Sequence, residues 1–323
     1  MRIISKRHLN AVLGYLAAAL VMIYLSYCLP GLLPGDFVTA MYSGSDVTLS
    51  SGQEAELRAF YTEKKSFGGY LVDLMSLEWG DSFAYRVPVS KLFLEALPWT
   101  LLLMGCAHVF SMFFGFIAGV EAAWRRGSFT EKLGVGVMTV LQGVPEIGSG
   151  VLLLLVFALN LGWFPAGGAE TAYADQSASA KTLDLFLHLV LPLATLILAY
   201  FPGNFLLARA SMVMILKQRF IQTARAKGLK AVRIRYAHAA RNALIPVVTR
   251  FGLRFAFMIT GALVVETIFS YPGLGTLLFN AISMRDLPLI QAVVLISSLM
   301  VLAVNLMLEL SYTRLDPRVR DVS

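Results

Sequence analysis

Five stretches of this chain run for more than twenty residues with at most one charged side chain, and nothing else constrains its fold as much. They are His8 to Gly35, Ala96 to Val120, Leu133 to Ala169 (clean except for Glu146), Leu185 to Ala208 and Leu287 to Leu308. At about 1.5 Å per helical residue, each covers a hydrocarbon layer about 30 Å thick. A sixth segment, Ala243 to Val265, is interrupted by Arg250 and Arg254. It still reads as a helix, because Pro246 suits a first turn and an apolar run follows. Six spans are therefore expected. Composition agrees: 15% of the 323 residues are charged and 57% are apolar, with mean hydropathy +0.70. Soluble domains carry about 25% charged residues, so a soluble enzyme and a disordered chain are both excluded.

The first span has a basic start (Arg2, Lys6, Arg7), but its apolar part is too long for a cleaved signal peptide. It reads as a retained helix. Orientation follows from charge. The N-terminal tail, the loops 121–133 and 208–245 and the tail 312–323 together carry 18 basic and 4 acidic residues. The opposite loops, 31–96, 161–184 and 267–287, carry 7 basic and 13 acidic. Basic loops stay in the cytoplasm, so both termini are expected there. The net charge of +7 is thereby assigned to loops facing the lipid bilayer, and nucleic acid is not an expected partner. Cys28 and Cys106 lie in apolar segments without metal-ligand neighbours, which argues against a disulfide scaffold or a zinc site.

The loop 208–245 is the most informative segment. It holds nine basic side chains (Arg209, Lys217, Arg219, Arg225, Lys227, Lys230, Arg233, Arg235, Arg241) and no acidic one. One reading is a basic loop resting on anionic headgroups. The interleaved small residues of Thr223-Ala-Arg-Ala-Lys-Gly228 suggest more. Phe220 to Ala226 can form a short helix that stops at Gly228. Ala224 and Ala226 would let that helix seat closely in a partner's groove while arginines meet an acidic rim.

At this point the residues resemble a family. Phe220-Ile-Gln-Thr-Ala-Arg-Ala-Lys-Gly-Leu229 and His238-Ala-Ala-Arg-Asn-Ala-Leu-Ile-Pro246 resemble the coupling motif of ATP-binding cassette import permeases, of the dipeptide/oligopeptide/nickel branch. Thr223 and Ala224 stand near that family's Glu-Ala-Ala triplet and Gly228 at its glycine. Four further segments resemble the same branch: Leu32-Leu-Pro-Gly-Asp36, Leu161-Gly-Trp-Phe-Pro-Ala-Gly-Gly168, Val265-Glu-Thr-Ile-Phe-Ser-Tyr-Pro-Gly-Leu-Gly275 and Leu315-Asp-Pro-Arg-Val-Arg320. The resemblance implies an all-α integral membrane protein with the six-helix type I importer (MetI-like) fold. Residues 1–95 would supply the first helix and an outer loop forming a small surface subdomain. Residues 96–323 would form a five-helix permease core. It further implies a second, related permease, two ATPase subunits and an extracytoplasmic solute-binding protein. Thr223, Ala224, Arg225, Ala226, Lys227 and Gly228 would contact the ATPases. The chain itself would bind no cofactor, with ATP and Mg held by the partners.

No Gly-x-x-x-x-Gly-Lys-Ser/Thr loop occurs, so hydrolysis of ATP is not expected of this chain. The four histidines are scattered without a His-Glu-x-x-His or Gly-x-Ser-x-Gly signature, which disfavours an intramembrane enzyme. His108 and His188 are expected to bond a neighbouring helix. Glu146, Arg250 and Arg254 are the candidate solute-path or intramembrane-pair residues, since unpaired ions in a bilayer cost at least about 2.5–3.5 kcal/mol each. On straight helices, Glu146 would lie roughly 18 Å into its span and Arg254 roughly 12 Å, close enough to pair. Arg250, roughly 6 Å deep, could instead snorkel to the headgroups. An ion-coupled secondary transporter would use the same charges. Peptides are the expected solute, with nickel or metal chelates as the alternative.

Overall fold

The computed structural model describes residues 6–32, 52–53, 56–57, 66–171, 177–256 and 263–315. Among these, the secondary structure is helical apart from an isolated bridge between Asp81 and Pro88. The helices are α1 (Lys6–Leu32), α2 (Phe67–Met75), α3 (Val89–Trp124), α4 (Phe129–Gln142), α5 (Glu146–Leu153), α6 (Ala178–Leu216), α7 (Arg219–Ala226), α8 (Ala231–Arg233), α9 (Arg241–Ala256), α10 (Leu263–Ile268), α11 (Leu274–Ser283) and α12 (Leu287–Leu315). Two wider π-helical turns, Leu154–Asn160 and Ile234–Ala240, follow α5 and α8.

Among the described residues, four helices are long and apolar enough to cross a membrane: Leu9–Cys28, Val89–Trp124, Ala178–Leu216 and Leu287–Leu310. A fifth crossing exists if α4 and the segment Glu146–Asn160 are counted together, although they meet at 96°. Here the straight-span expectation for Leu133 to Ala169 fails. Pro145 has extended backbone and cannot donate an amide, so the helix stops at Gln142 and restarts at Glu146. In the sixth expected span, α9 begins at Arg241, so Pro246 lies inside the helix and not in its first turn. The chain is already helical through the preceding π turn. Residues 257–262 of that span lie outside the described residues, as do 33–36 and 316–320 of two quoted motifs and 172–176 of the loop 161–184.

The chain divides into two compact units, one drawn from Met1–Trp99 and Pro272–Ser323 and the other from Thr100–Tyr271. In the first, α1 lies along α12, and Gln291 donates its amide to the Ser26 carbonyl at 2.8 Å. Tyr24 and Tyr27 meet Phe67 of α2 edge-on. Helix α2 therefore leans on α1. Asp286 is fully buried and starts α12, accepting hydrogen bonds from the Leu289 amide (3.3 Å), the Ala84 amide (3.0 Å) and the Ser82 hydroxyl. Capping a helix and anchoring a turn with one carboxylate satisfies donors that would otherwise be buried unpaired.

In the second unit, α6 is a 39-residue helix that runs past Ala208 to Leu216. Arg209 is thus helical and not in a loop. Ser177 caps its start, accepting from the Ala180 amide at 3.4 Å. Two turns of this unit are joined backbone to backbone. The Gly168 amide donates to the Phe269 carbonyl at 2.9 Å, which brings together the two motifs quoted at 161–168 and 265–275. A Cβ on Gly167 would meet the Phe269 oxygen at 2.8 Å, so only glycine fits there.

Candidate functional site

The basic segment folds around α7, which starts one residue before the expected Phe220 and ends at the expected Ala226. Ile221 and Ala224, three apart and so on one face, are 1% and 6% exposed. They enter an apolar core with Val120 and Ala123 of α3, Met212 of α6, and Ile234, Ala239, Ala240 and Ala243. The expected stop at Gly228 has a full structural basis. Gly228 adopts φ +72°, its amide donates to the Arg225 carbonyl at 2.9 Å, and the Leu229 amide reaches back to the Ala224 carbonyl at 3.3 Å. Those two bonds close a Schellman motif and satisfy carbonyls that the helix end leaves free.

The six predicted contact residues therefore part company. Thr223, Arg225, Ala226, Lys227 and Gly228 are exposed, together with Phe220. Ala224 faces the chain's own core, and its small size lets α7 sit close to α3. Beside the helix opens a groove of about 430 Å³, lined by Trp124, Leu216, Arg225, Leu229, Ala231 and Ile234.

Two of the nine basic side chains turn inward to acids of 121–133. Arg235 Nη1 donates to both oxygens of Glu121 at 2.6 and 2.8 Å, and the Tyr236 hydroxyl donates to the same carboxylate. That bond, with burial and the carboxylate charge, pushes the Tyr236 hydroxyl above its ordinary pKa. The Arg235 guanidinium lies over the Trp124 ring at 4.7 Å, and Arg225 lies 5.9 Å from the same ring. Glu131 accepts from Arg209 Nε at 2.7 Å and also from its terminal nitrogen. Ser128 caps α4 through the Glu131 amide at 3.2 Å, while Glu131 accepts from the Gly127 amide. Ser128-Phe-Thr-Glu131 is thus a capping pattern that also positions the carboxylate for Arg209.

The predicted intramembrane charges lie in the second unit. Glu146 occupies the first turn of α5, so the depth count on a straight helix does not apply. Even so, Glu146 and Arg254 come within electrostatic reach of each other and of Tyr200, whose ring centre is 5.5 Å from the Arg254 guanidinium. The Arg250 side chain turns to α6. Its Nη1 donates to the Gly203 carbonyl of α6 at 3.0 Å, and a Cβ on Gly203 would stand 3.1 Å from the guanidinium. His108 and His188 each hydrogen-bond a carbonyl of their own helix, Met104 at 3.0 Å and Asp184 at 2.9 Å, and not one of a neighbour. The carbonyl four residues back is simply the nearest acceptor. The His108 ring instead packs on Tyr200 at 4.7 Å. Among the described residues, no group of three or more His, Cys, Asp or Glu stands together as a metal site.

Residues 111–321 match the family described as the binding-protein-dependent transport system inner membrane component. The chain belongs to this family. It is 32% identical over 324 residues to the glutathione transport system permease protein GsiC of Pectobacterium atrosepticum, covering 97% of this chain and 98% of that protein. It is 36% identical over 321 residues to the di/tripeptide transport system permease protein DppB of Pseudomonas aeruginosa, covering 92% and 93%. With the oligopeptide transport system permease protein AppB of Bacillus subtilis it shares 35% over 303 residues, covering 91% and 93%. The expectation of a multi-pass importer permease is met.

Two features of this inner membrane component escaped the sequence reading. Gly115 and Gly119 let α3 touch α6: a Cβ on Gly119 would meet the Phe205 carbonyl oxygen at 2.5 Å and Ala208 Cβ at 2.7 Å. The Gly-x-x-x-Gly spacing inside an apolar run was the available signal. Glu266 is wholly buried and accepts from the Thr100 hydroxyl at 2.6 Å. Its place in the quoted 265–275 motif marked it, but nothing local named its partner.

Proposed function

We propose that this chain is one permease half of an ATP-driven importer for small peptides, receiving its solute from an extracytoplasmic binding protein. The observation that carries the reading is near-full-length similarity to permeases named for glutathione, di/tripeptide and oligopeptide transport. In this reading the chain crosses the membrane six times, with both termini in the cytoplasm. Residues 96–323 are the permease core, in keeping with the family match over 111–321. A second related permease completes the pathway. Two ATPase subunits bind ATP and Mg and hydrolyse the nucleotide.

The ATPases dock on Thr223, Arg225, Ala226, Lys227 and Gly228, with Ala224 acting from behind by seating α7. Exposure of that face and burial of Ile221 and Ala224 support this arrangement. Solute passes the polar group of Glu146, Arg254 and Tyr200, while Arg250 pairs helices. Nucleotide-driven closure of the ATPases rocks the two permease halves, which is alternating access between rigid bodies.

The test is uptake of a labelled dipeptide and of glutathione by vesicles holding the complete transporter. ATP with the binding protein should drive uptake, and an imposed proton gradient without ATP should not. Uptake driven by the gradient alone would replace this reading with ion-coupled transport. Ala226→Glu should abolish uptake and release the ATPase pair while the chain remains inserted.

A further inference from the structure

The last turn of α3 holds the segment around α7 in two different ways. Val120 and Ala123 pack against Ile221 and Ala224 in the apolar core. Glu121 and Trp124, on the same turn, take the polar side. Glu121 receives two hydrogen bonds from one nitrogen of Arg235 and a third from Tyr236, across more than a hundred residues of sequence. Its side chain is 28% exposed and that of Arg235 is 18% exposed, so water competes only in part for the bonds. Trp124 presents its ring to Arg235 at 4.7 Å and to Arg225, on α7 itself, at 5.9 Å. Glu121 and Trp124 of α3 thus hold Arg235 of the π turn between them, and Trp124 reaches α7 directly through Arg225.

Arg235 and Tyr236 are sequence neighbours, which on a regular α-helix do not face the same way. They sit in the π turn Ile234–Ala240 and still reach one carboxylate. Such turns occur mostly as single interruptions of α-helices, frequently at functional sites.

We infer that Glu121, Arg235 and Trp124 form a clamp that transmits force between α7 and α3, and that Glu121 and Arg235 are positioning residues for energy coupling. The inference rests on the proposed docking of ATPases at α7. A push on α7 that met only a flexible loop would be lost in bending. Seated by the apolar core on α3 and on the π turn, which a charge-assisted network ties in turn to α3, α7 passes the displacement into a 36-residue helix. Neither Glu121 nor Arg235 needs to touch nucleotide or solute for this.

Uptake and ATP hydrolysis measured in the same vesicles, with the complete transporter, test the clamp. Glu121→Gln and Arg235→Gln should each lower solute moved per ATP by about tenfold, because a charge-assisted network is lost while the apolar seat remains. Tyr236→Phe, which removes one hydroxyl, should lower it by about twofold. The exchange Glu121→Arg with Arg235→Glu should restore at least about half of the ratio, as coupled neighbours do. The ATPase pair should copurify with all four variants. An unchanged ratio in the single variants, with the ATPases retained, would overturn the clamp and leave the docking reading intact. Uptake and hydrolysis falling in proportion would also overturn it, by reducing the network to a structural role. Full uptake by Ala226→Glu with the ATPases still bound would overturn docking and the clamp together. Where Glu121→Gln does not assemble, Tyr236→Phe and the exchange decide by the same ratio.

Discussion

Charges at the basic end of the Thr100–Tyr271 unit and charges within its apolar runs are held differently. At the basic end, Glu121 and Glu131 close directly on Arg235 and Arg209 with bonds of 2.6 to 2.8 Å. Among the described residues, Glu146 and Arg254 make no such direct pair, and Arg254 lies instead over the face of Tyr200 at 5.5 Å. Arg250 is satisfied by a backbone carbonyl. The difference teaches which charges are fixed and which are available. A direct pair of this kind sets geometry. A carboxylate and a guanidinium kept apart around an aromatic ring retain capacity for a third party, and holding them so inside a bilayer is expensive enough to need a functional reason. In the proposed reading, a peptide with charged ends is that third party.

The comparison breaks most completely if the frame shared by both regions is removed. Gly119→Leu places a side chain where even a Cβ would sit 2.5 Å from the Phe205 carbonyl oxygen, so little assembled protein should be recovered from the membrane. Normal yield and normal melting of that variant would show that the α3 and α6 contact is dispensable. A sharper contrast follows from neutralising one carboxylate in each region. Glu131→Gln leaves Arg209 without its countercharge and should destabilise the purified complex by about 3 kcal/mol in thermal unfolding. Glu146→Gln should change stability by less than about 1 kcal/mol and yet depress uptake. Equal loss of stability in the two variants would erase the distinction between fixed and available charges.

Within the basic end, the two alanines of α7 separate seat from surface. Ala224→Leu overfills the core beside Val120 and Ala123 and should cost about 1–3 kcal/mol. Ala226→Leu, on the exposed face, should leave the melting temperature of the isolated chain unchanged while impairing ATPase binding. Identical melting of the two variants would mean that α7 is not seated as described. The smallest expected effect is at the helix stop. Gly228→Ala meets open space but must hold φ +72°, so a loss of about 1 kcal/mol is expected. No measurable loss would show that the Schellman turn relaxes freely.

The sequence alone was enough for the membrane character, the basic segment, the family resemblance and the stop at Gly228, because each depends on local composition or spacing. A charge-free run spans hydrocarbon wherever it lies, and a glycine after a short helix ends it through its own backbone. The faces of α7 were not decided locally. Ile221 with Ala224 and Thr223 with Ala226 have the same spacing of three, and only packing against Val120 and Ala123 buried the first pair. The break before Glu146 was hidden for a related reason. Pro145 weakens a helix, but whether the chain kinks gently or turns by 96° depends on what the two pieces meet. Charge in a sequence has sign without direction. That Arg235 closes on Glu121, Arg209 on Glu131 and Arg250 on the Gly203 carbonyl was settled by tertiary structure, since each partner is brought into reach by helices far apart in the chain.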